Sequence, residues 1–371
     1  MKQFLMAGSQ DDDALAMAES CLAQIGPIPQ QFNLGFIYAS DHLANRLSMV
    51  LELLGEKAPG VRWVGTVGMG ICSGGREIYD RPTLTLMLGD FPADSFQMLR
   101  GFTGDLKQAE LSGGPGQTDF NFALVHADPS NPRTAEWLER LAREPELGFI
   151  NGGLSSSHGS NPQIADGLAD RGISGVVFDD RVQIVTDHTQ GCSPIGPAHR
   201  ITEARANIAV TLDHEPALEV LKRDAGEVLS KDLSRLGGYI FAALPIQGSD
   251  TGDYLVRNLL GVDTEQRLVA VGDQLETRQR LMFCRRDGNS AQEDMERMLG
   301  RLRKRVANRT IRGGIYITCL GRGRHQFGEN SEELQLIQQR LGEFPLVGYF
   351  ANGEIYNGRL YGYTGVLTLF L

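Results

Sequence analysis

The stretch HTQGCSPIGP, His188 to Pro197, sets a cysteine between two glycines and two prolines. A catalytic thiol there would need a base to form the thiolate and donors to hold an oxyanion. The amides of Gly191 and Cys192 could donate, but no base is visible beside Cys192 in the sequence. Two readings stay open: a ligand-binding turn of Gln190, Gly191, Cys192 and Ser193, or a rigid corner holding a small buried thiol. A cysteine-dependent hydrolase or transferase at Cys192 is the enzymatic alternative. Two other stretches have the same character, polar groups bracketed by glycine after an apolar strand: CLGRGRHQFG from Cys319 and GYFANGEI from Gly348. Arg322, Asn352 and Glu354 in these turns suit a zwitterion, the guanidinium on its carboxylate and the carboxylate on its ammonium. Loops at strand ends are where ligands meet open α/β sheets.

Other chemistries lack their residues. There is no GxxxxGK[ST], HExxH, CxxC or GxSxG, and the glycines of GTVGMG (65–70) do not have dinucleotide-fingerprint spacing. No two of the seven histidines stand two or four residues apart, so no local metal site is expected. His126 and His188 are the two histidines placed to face a cleft. The acidic DDD at 11–13 lacks the spaced ligands of a calcium loop and reads as a solvated helix start.

The elements that must position these turns recur along the chain. NLGFIYA, the helix DHLANRLSMVLELLG with Asp41 as N-cap, the strand RWVGTVGMGIC, the polar turn SGGREIYD and the strand PTLTLMLGDF form one unit. NFALVHA, NPRTAEWLERLARE, LGFINGG and GISGVVF form a second, and GGIYITCLG, SEELQLIQQRLGE, PLVGYFANGE and GYTGVLTLFL a third. The segment after GGYIFAAL reads as a degenerate fourth copy. Duplicated β-α-β-β units of this kind predict an α/β (α+β) fold of mixed sheets layered with helices. A long helix opening at Asp213, striped by Leu218, Leu221, Val228, Leu229, Leu233 and Leu236 and stopped by Gly237-Gly238, marks the expected boundary. The expected domains are therefore 1–212 and 213–371. The basic helix 291–309 has acids first and bases last, as the helix dipole favours, and a stripe of Met295, Met298, Leu299, Leu302 and Val306. Residues 105–119 form a Gly-rich polar loop, the best candidate for a mobile segment.

A length of 371 residues suits two domains, and a net charge of −10 argues against nucleic-acid or anionic-membrane binding. No signal peptide and no membrane-length apolar run is present, and the five scattered cysteines suit reduced thiols in the cytoplasm.

Taken in order, GFIYASDHL, WVGTVGMGIC, GGLSSS, TQGCSPIGP, GGYIFAALP, GSDTGDYLVRNLLGVD, MFCRRD, CLGRG, GYFANGEI and YGYTGVLTLF resemble the FIST family of bacterial signal-transduction proteins, with its paired N-terminal and C-terminal FIST domains. The resemblance implies a sensory module for a small ligand, an amino acid or related compound, and no enzyme. It also implies an alternative, a haem-binding nitric-oxide sensor, for which His188 is the candidate ligand. No histidine-kinase, methyl-accepting or cyclic-dinucleotide output region accompanies these segments. The expected output is thus a separate signalling protein such as a histidine kinase or cyclic-dinucleotide enzyme. The expected pocket lies between the domains, walled by the turns of Gln190–Ser193, of Cys319 and Arg322, and of Asn352 and Glu354.

Overall fold

A computed structural model describes residues 4–112, 120–169, 171–230, 238–246 and 253–371. They form two compact units. The larger comprises the chain up to Thr189, Met295–Leu360 and Thr364–Leu371; the smaller comprises Gln190–Asp294 and Tyr361–Tyr363.

The larger unit is built from the three repeats. Each has a strand, a helix and a second strand parallel to the first. A hairpin follows, and then a last strand antiparallel to the first. In repeat one these are Leu34–Ser40, Leu47–Lys57, Arg62–Gly68, the hairpin Gly70–Ser73/Arg76–Tyr79 and Leu84–Gly89. In repeat two they are Phe122–Ala127, Thr134–Leu141, Phe149–Leu154, Gln163–Ala165/Leu168–Ala169 and Ile173–Phe178. In repeat three they are Gly313–Cys319, Glu332–Leu341, Leu346–Ala351, Glu354–Tyr356/Arg359–Tyr361 and Thr364–Phe370. One glycine fixes the register of each parallel pair. A Cβ on Gly65, Gly152 or Gly348 would stand 1.7, 1.8 or 1.8 Å from the carbonyl oxygen of Ile37, Val125 or Tyr316, the residue it faces.

The hairpins are exchanged. That of repeat one pairs with the second strand of repeat three (Ser73 with Val347), that of repeat two with repeat one (Gln163 with Thr66), and that of repeat three with repeat two (Glu354 with Gly153). The three sheets therefore close on one another, and no repeat is complete alone. Their inner faces share a central core that includes Phe36, Leu124, Phe178, Ile315, Val347 and Phe370. Outside, helices cover each sheet: Ala14–Ile25 and Leu47–Lys57 on the first, Thr134–Leu141 on the second, and the helices Gly288–Val306 and Glu332–Leu341 on the third. Asp13 caps the first of these, its carboxylate accepting from Leu15 and Ala16. The expected Met295-to-Val306 stripe is buried. The division expected at Asp213 concerns order along the chain; compactness groups the residues differently because repeat three closes the ring that repeats one and two begin.

The smaller unit is a closed antiparallel barrel. Its strands run Arg280–Arg285, His199–Arg205, Ile208–Leu212, Leu268–Val271, Tyr254–Asp263 and Ile240–Pro245, the last pairing again with the first. Closure removes the exposed edges an open sheet would leave. Ala217, Leu218, Val220 and Leu221, from the helix Ala217–Ser230, pack among the apolar residues of its strands.

Several expectations are corrected here. The segment after GGYIFAAL is no fourth repeat: DYLVRNLLG is a strand, and its alternating burial is the period of two of a half-exposed sheet. The helix opens at Ala217 and not at Asp213. Asp213 and His214 have φ of 50 and 70°, making the turn into a short strand at Glu215–Pro216, and the Asp213 carboxylate holds Arg200 and His199. Gly226, at φ 79°, interrupts that helix; Leu233, Leu236 and Gly237 lie outside the described residues, as do 113–119 of the polar loop. Asp41 opens a 3₁₀ turn and receives the His158 backbone amide. RWVGTVGMGIC divides at Met69 into strands of two different sheets, and SGGREIYD contains a strand of its own.

Candidate functional site

One residue beyond the register glycines, the pairs Tyr38–Thr66, His126–Gly153 and Ile317–Tyr349 occupy the same place in the three repeats, near the C-terminal ends of the parallel strands. Two residues earlier, Phe36, Val64, Leu124, Ile315 and Val347 belong to the apolar core. The end layer continues that core through Tyr38, Ile317 and Tyr349 and adds polar atoms to it. Tyr38 stacks on Tyr349 with centroids 5.2 Å apart, and its hydroxyl lies 3.3 Å from His126 Nε2. Gly153 leaves the space that the layer needs, since a Cβ there would stand 2.8 Å from Tyr349 Oη. Among the described residues, His126 Nδ1 and Tyr349 Oη are buried with no hydrogen-bond partner. Burial lowers the His126 pKa to about 3, so the imidazole is neutral, and it drives the Tyr349 phenol well upward, helped by Tyr38 and Glu354.

Glu354 pairs with Gly153 across the exchanged hairpin. Its Oε2 accepts from the Thr364 amide at 3.1 Å and hydroxyl at 2.6 Å, while Oε1 has no partner among the described residues. Burial raises its pKa to about 8, against the opposing pull of Thr364, Arg322 and Cys319. Three residues singled out from the sequence therefore influence one another here: Cys319, Arg322 and Glu354. Arg322, however, is already matched. It is fully buried, with Nε and Nη2 each 2.7 Å from Glu333 Oε1 and its guanidinium over the Phe327 ring. Glu333 also accepts from Tyr316, Thr318 and the Gly323 amide. The Asn352 side chain is exposed, and its backbone amide donates to the Leu154 carbonyl.

The serines of GGLSSS tie the strand ends together. Ser155 Oγ lies 2.6 Å from Thr66 Oγ1 and also bonds the Ala127 carbonyl; Ser156 receives the Met69 amide and donates to the Phe350 carbonyl. Tyr38, Tyr349 and Glu333 were not singled out from the sequence. Alignment of the repeats on Gly65, Gly152 and Gly348 puts Tyr38 and His126 at one position of the first strands and Tyr349 at the facing position of the second strands; Glu333 carries no such mark.

The turn of Gln190, Gly191, Cys192 and Ser193 belongs to the smaller unit. Gln190 donates from its backbone amide to Asp294 Oδ2 and from its side chain to the Tyr254 carbonyl, and the Gly191 amide donates to the Tyr363 carbonyl. Ser193 pairs with Arg285. Cys192 packs with Phe241, Ala243, Tyr254, Val256 and Met282, and its thiol neighbours that of Cys284, whose pKa is raised by Cys192 and by burial. That setting supplies packing for Cys192 and offers a second thiol where a nucleophile would need a base. His188, in the larger unit, lies against Tyr356 with centroids 4.1 Å apart and is 6% exposed. This is the environment of a histidine packed face-on against an aromatic ring. Among the described residues no group of histidine, cysteine and acidic side chains could hold a metal ion, and no helix is long and apolar enough to cross a membrane.

The FIST N domain matches residues 33–215 and the FIST C domain residues 217–357. An uncharacterized protein of Mycobacterium tuberculosis is 28% identical over 325 residues, 83% of each chain. A second, from Mycobacterium bovis, is 28% identical over 355 residues, 90% of this chain and 88% of its own. FIST domains are associated with signal transduction and small-ligand sensing. Two adjoining domain matches spanning most of its length show that this chain belongs to the FIST family.

Proposed function

We propose that this protein is a cytoplasmic small-molecule sensor and not an enzyme. Its ligand is an amino acid or related metabolite, taken at the polar end layer of the larger unit. The observation that carries the proposal is the trio of buried, unpartnered polar atoms there: His126 Nδ1, Tyr349 Oη and Glu354 Oε1. Each costs on the order of 1–3 kcal/mol while unmatched, a cost that a bound ligand offsets. A binding role is favoured over catalysis because His126 is held neutral by burial to about pH 3 and is a poor base near neutrality. Glu354 is assigned to the ligand's ammonium. Arg322, matched by Glu333, is assigned to positioning the Cys319 turn and not to the ligand's carboxylate. Output passes to a separate signalling protein, such as a histidine kinase or cyclic-dinucleotide enzyme, that distinguishes bound from free states.

The test is calorimetric titration of the full chain with a panel of amino acids and amines. An ammonium group requires the ionised carboxylate, and the Glu354 pKa is about 8. Affinity should therefore climb by up to about tenfold per pH unit from pH 6 to 8 and then level off, with release of a proton. Glu354→Gln should bind weakly with no such slope. A panel in which nothing binds at pH 8 would overturn the proposal.

A further inference from the structure

The turn after the barrel strand Arg280–Arg285 holds a guanidinium that nothing above uses. Nε and Nη2 of Arg286 are shielded from solvent, yet neither has an acceptor among the described residues. The adjacent acid is already committed: Asp287 Oδ2 accepts from Arg285 Nε at 3.0 Å and from the Ser290 hydroxyl at 2.8 Å, and Oδ1 accepts the Ser290 amide at 2.9 Å. One face of the Arg286 guanidinium is covered by Tyr363, whose ring centroid is 5.1 Å from Cζ. Tyr363 is itself anchored, donating from its hydroxyl to Asn258 Oδ1 at 2.7 Å and meeting Phe241 edge-on at 4.7 Å, while the Arg286 amide donates to the Tyr239 carbonyl. All of these residues lie in the smaller unit.

We infer that Arg286 is the recognition residue of a carboxylate-binding site in the smaller unit. Nε–H and one Nη2–H point the same way from the planar guanidinium, at the spacing of the two oxygens of a carboxylate. With the ring plane set by Tyr363, that edge offers a fixed two-pronged donor. A buried donor pair with no acceptor is destabilising unless a ligand completes it. The chemistry favours a monoanion: Arg286 stands one residue from Asp287, and the chain carries a net charge of −10, both of which oppose a dianionic phosphate. The site does not depend on the polar layer of the larger unit, so it stands whether or not Glu354 binds an ammonium.

The test follows arginine Nε–H resonances of the full-length protein by NMR, with acetate as probe and inorganic phosphate at matched ionic strength as the competitor. The Arg286 signal is assigned by its loss in Arg286→Lys. Acetate should move it saturably, more strongly than phosphate does, and acetate affinity should fall about tenfold or more in Arg286→Lys, which keeps the charge and loses the fork. Tyr363→Phe, which keeps the ring, should retain binding. An unmoved signal, a stronger response to phosphate, or unchanged acetate affinity in folded Arg286→Lys overturns the inference. If Arg286→Lys fails to fold, each Arg→Lys variant that does fold assigns its own Nε–H signal. Saturable, acetate-selective movement of the one left unassigned then supports the inference, and its absence defeats it. Absence of amino-acid binding together with a positive acetate response would defeat the sensor proposal and leave this site in place.

Discussion

Arg322 and Arg286 sit in turns that look alike. Each follows an apolar strand, in CLGRG and MFCRRD, and each lays its guanidinium over an aromatic ring, at 4.9 Å on Phe327 and 5.1 Å on Tyr363. Their hydrogen bonding is opposite. Arg322 is closed by Glu333, which in turn collects Tyr316, Thr318 and the Gly323 amide, so every strong group there is satisfied within the fold. The Nε–Nη2 edge of Arg286 has no acceptor among the described residues. A guanidinium shielded from solvent therefore marks a scaffold or a ligand site according to whether a carboxylate comes with it.

The sharpest way to break this comparison is Glu333→Ala. It strands a fully buried guanidinium and should cost about 3–5 kcal/mol in denaturant unfolding. Arg322→Met combined with Glu333→Leu should recover only part of that loss, because Tyr316, Thr318 and the Gly323 amide lose their acceptor as well. A cost below about 1 kcal/mol would mean the pair is not the closed unit described. Gly348→Ala comes next. Its Cβ would press on the carbonyl of Tyr316, whose hydroxyl serves Glu333, and a loss of about 1–3 kcal/mol is expected. Gly261→Ala, in the smaller unit with nothing within 4 Å, should change little and serves as the control.

Glu354→Gln tests the pH behaviour. Because the folded pKa of Glu354 is raised to about 8, the native state holds a proton that the unfolded chain releases above about pH 4.5. The group's contribution is complete below that value and falls as pH rises towards 8, by up to about 1.4 kcal/mol per unit. The variant should show a correspondingly flatter stability profile over that window. The smallest effect belongs to Arg286→Met. It removes an unmatched polar edge, so melting should shift by no more than about 1 kcal/mol equivalent and in either direction. A loss as large as that of Glu333→Ala would show that Arg286 is satisfied after all.

Much of this architecture was legible. The three β-α-β-β units, their helices and the Met295-to-Val306 stripe follow from apolar spacing, which is a property of neighbouring residues. Gly65, Gly152 and Gly348 stand at matching points of the three units, so the two facing positions that hold Tyr38 and His126 on the first strands and Tyr349 on a second strand are present in the sequence once the units are aligned. The segment after GGYIFAAL resembles a fourth unit because the short apolar run DYLVRNLLG fits the helix period as well as the strand period; pairing with the strands Ile240–Pro245 and Leu268–Val271 makes it a strand.

The local pattern of residues thus determined most strands and helices of the three repeats and which of their turns carry polar groups. It did not determine partners. The exchanged hairpins join residues as distant as Ser73 and Val347, and Glu333 reaches Arg322 from the start of a helix that sequence spacing presents as an ordinary acidic N-terminus. Hydrogen bonds and ion pairs form between groups that folding brings together, and their energies depend on burial that no window of sequence contains. Tertiary structure alone therefore decided that Arg322 is matched, that the Arg286 edge has no acceptor among the described residues, and that a carboxyl at Glu354 keeps its proton at neutral pH.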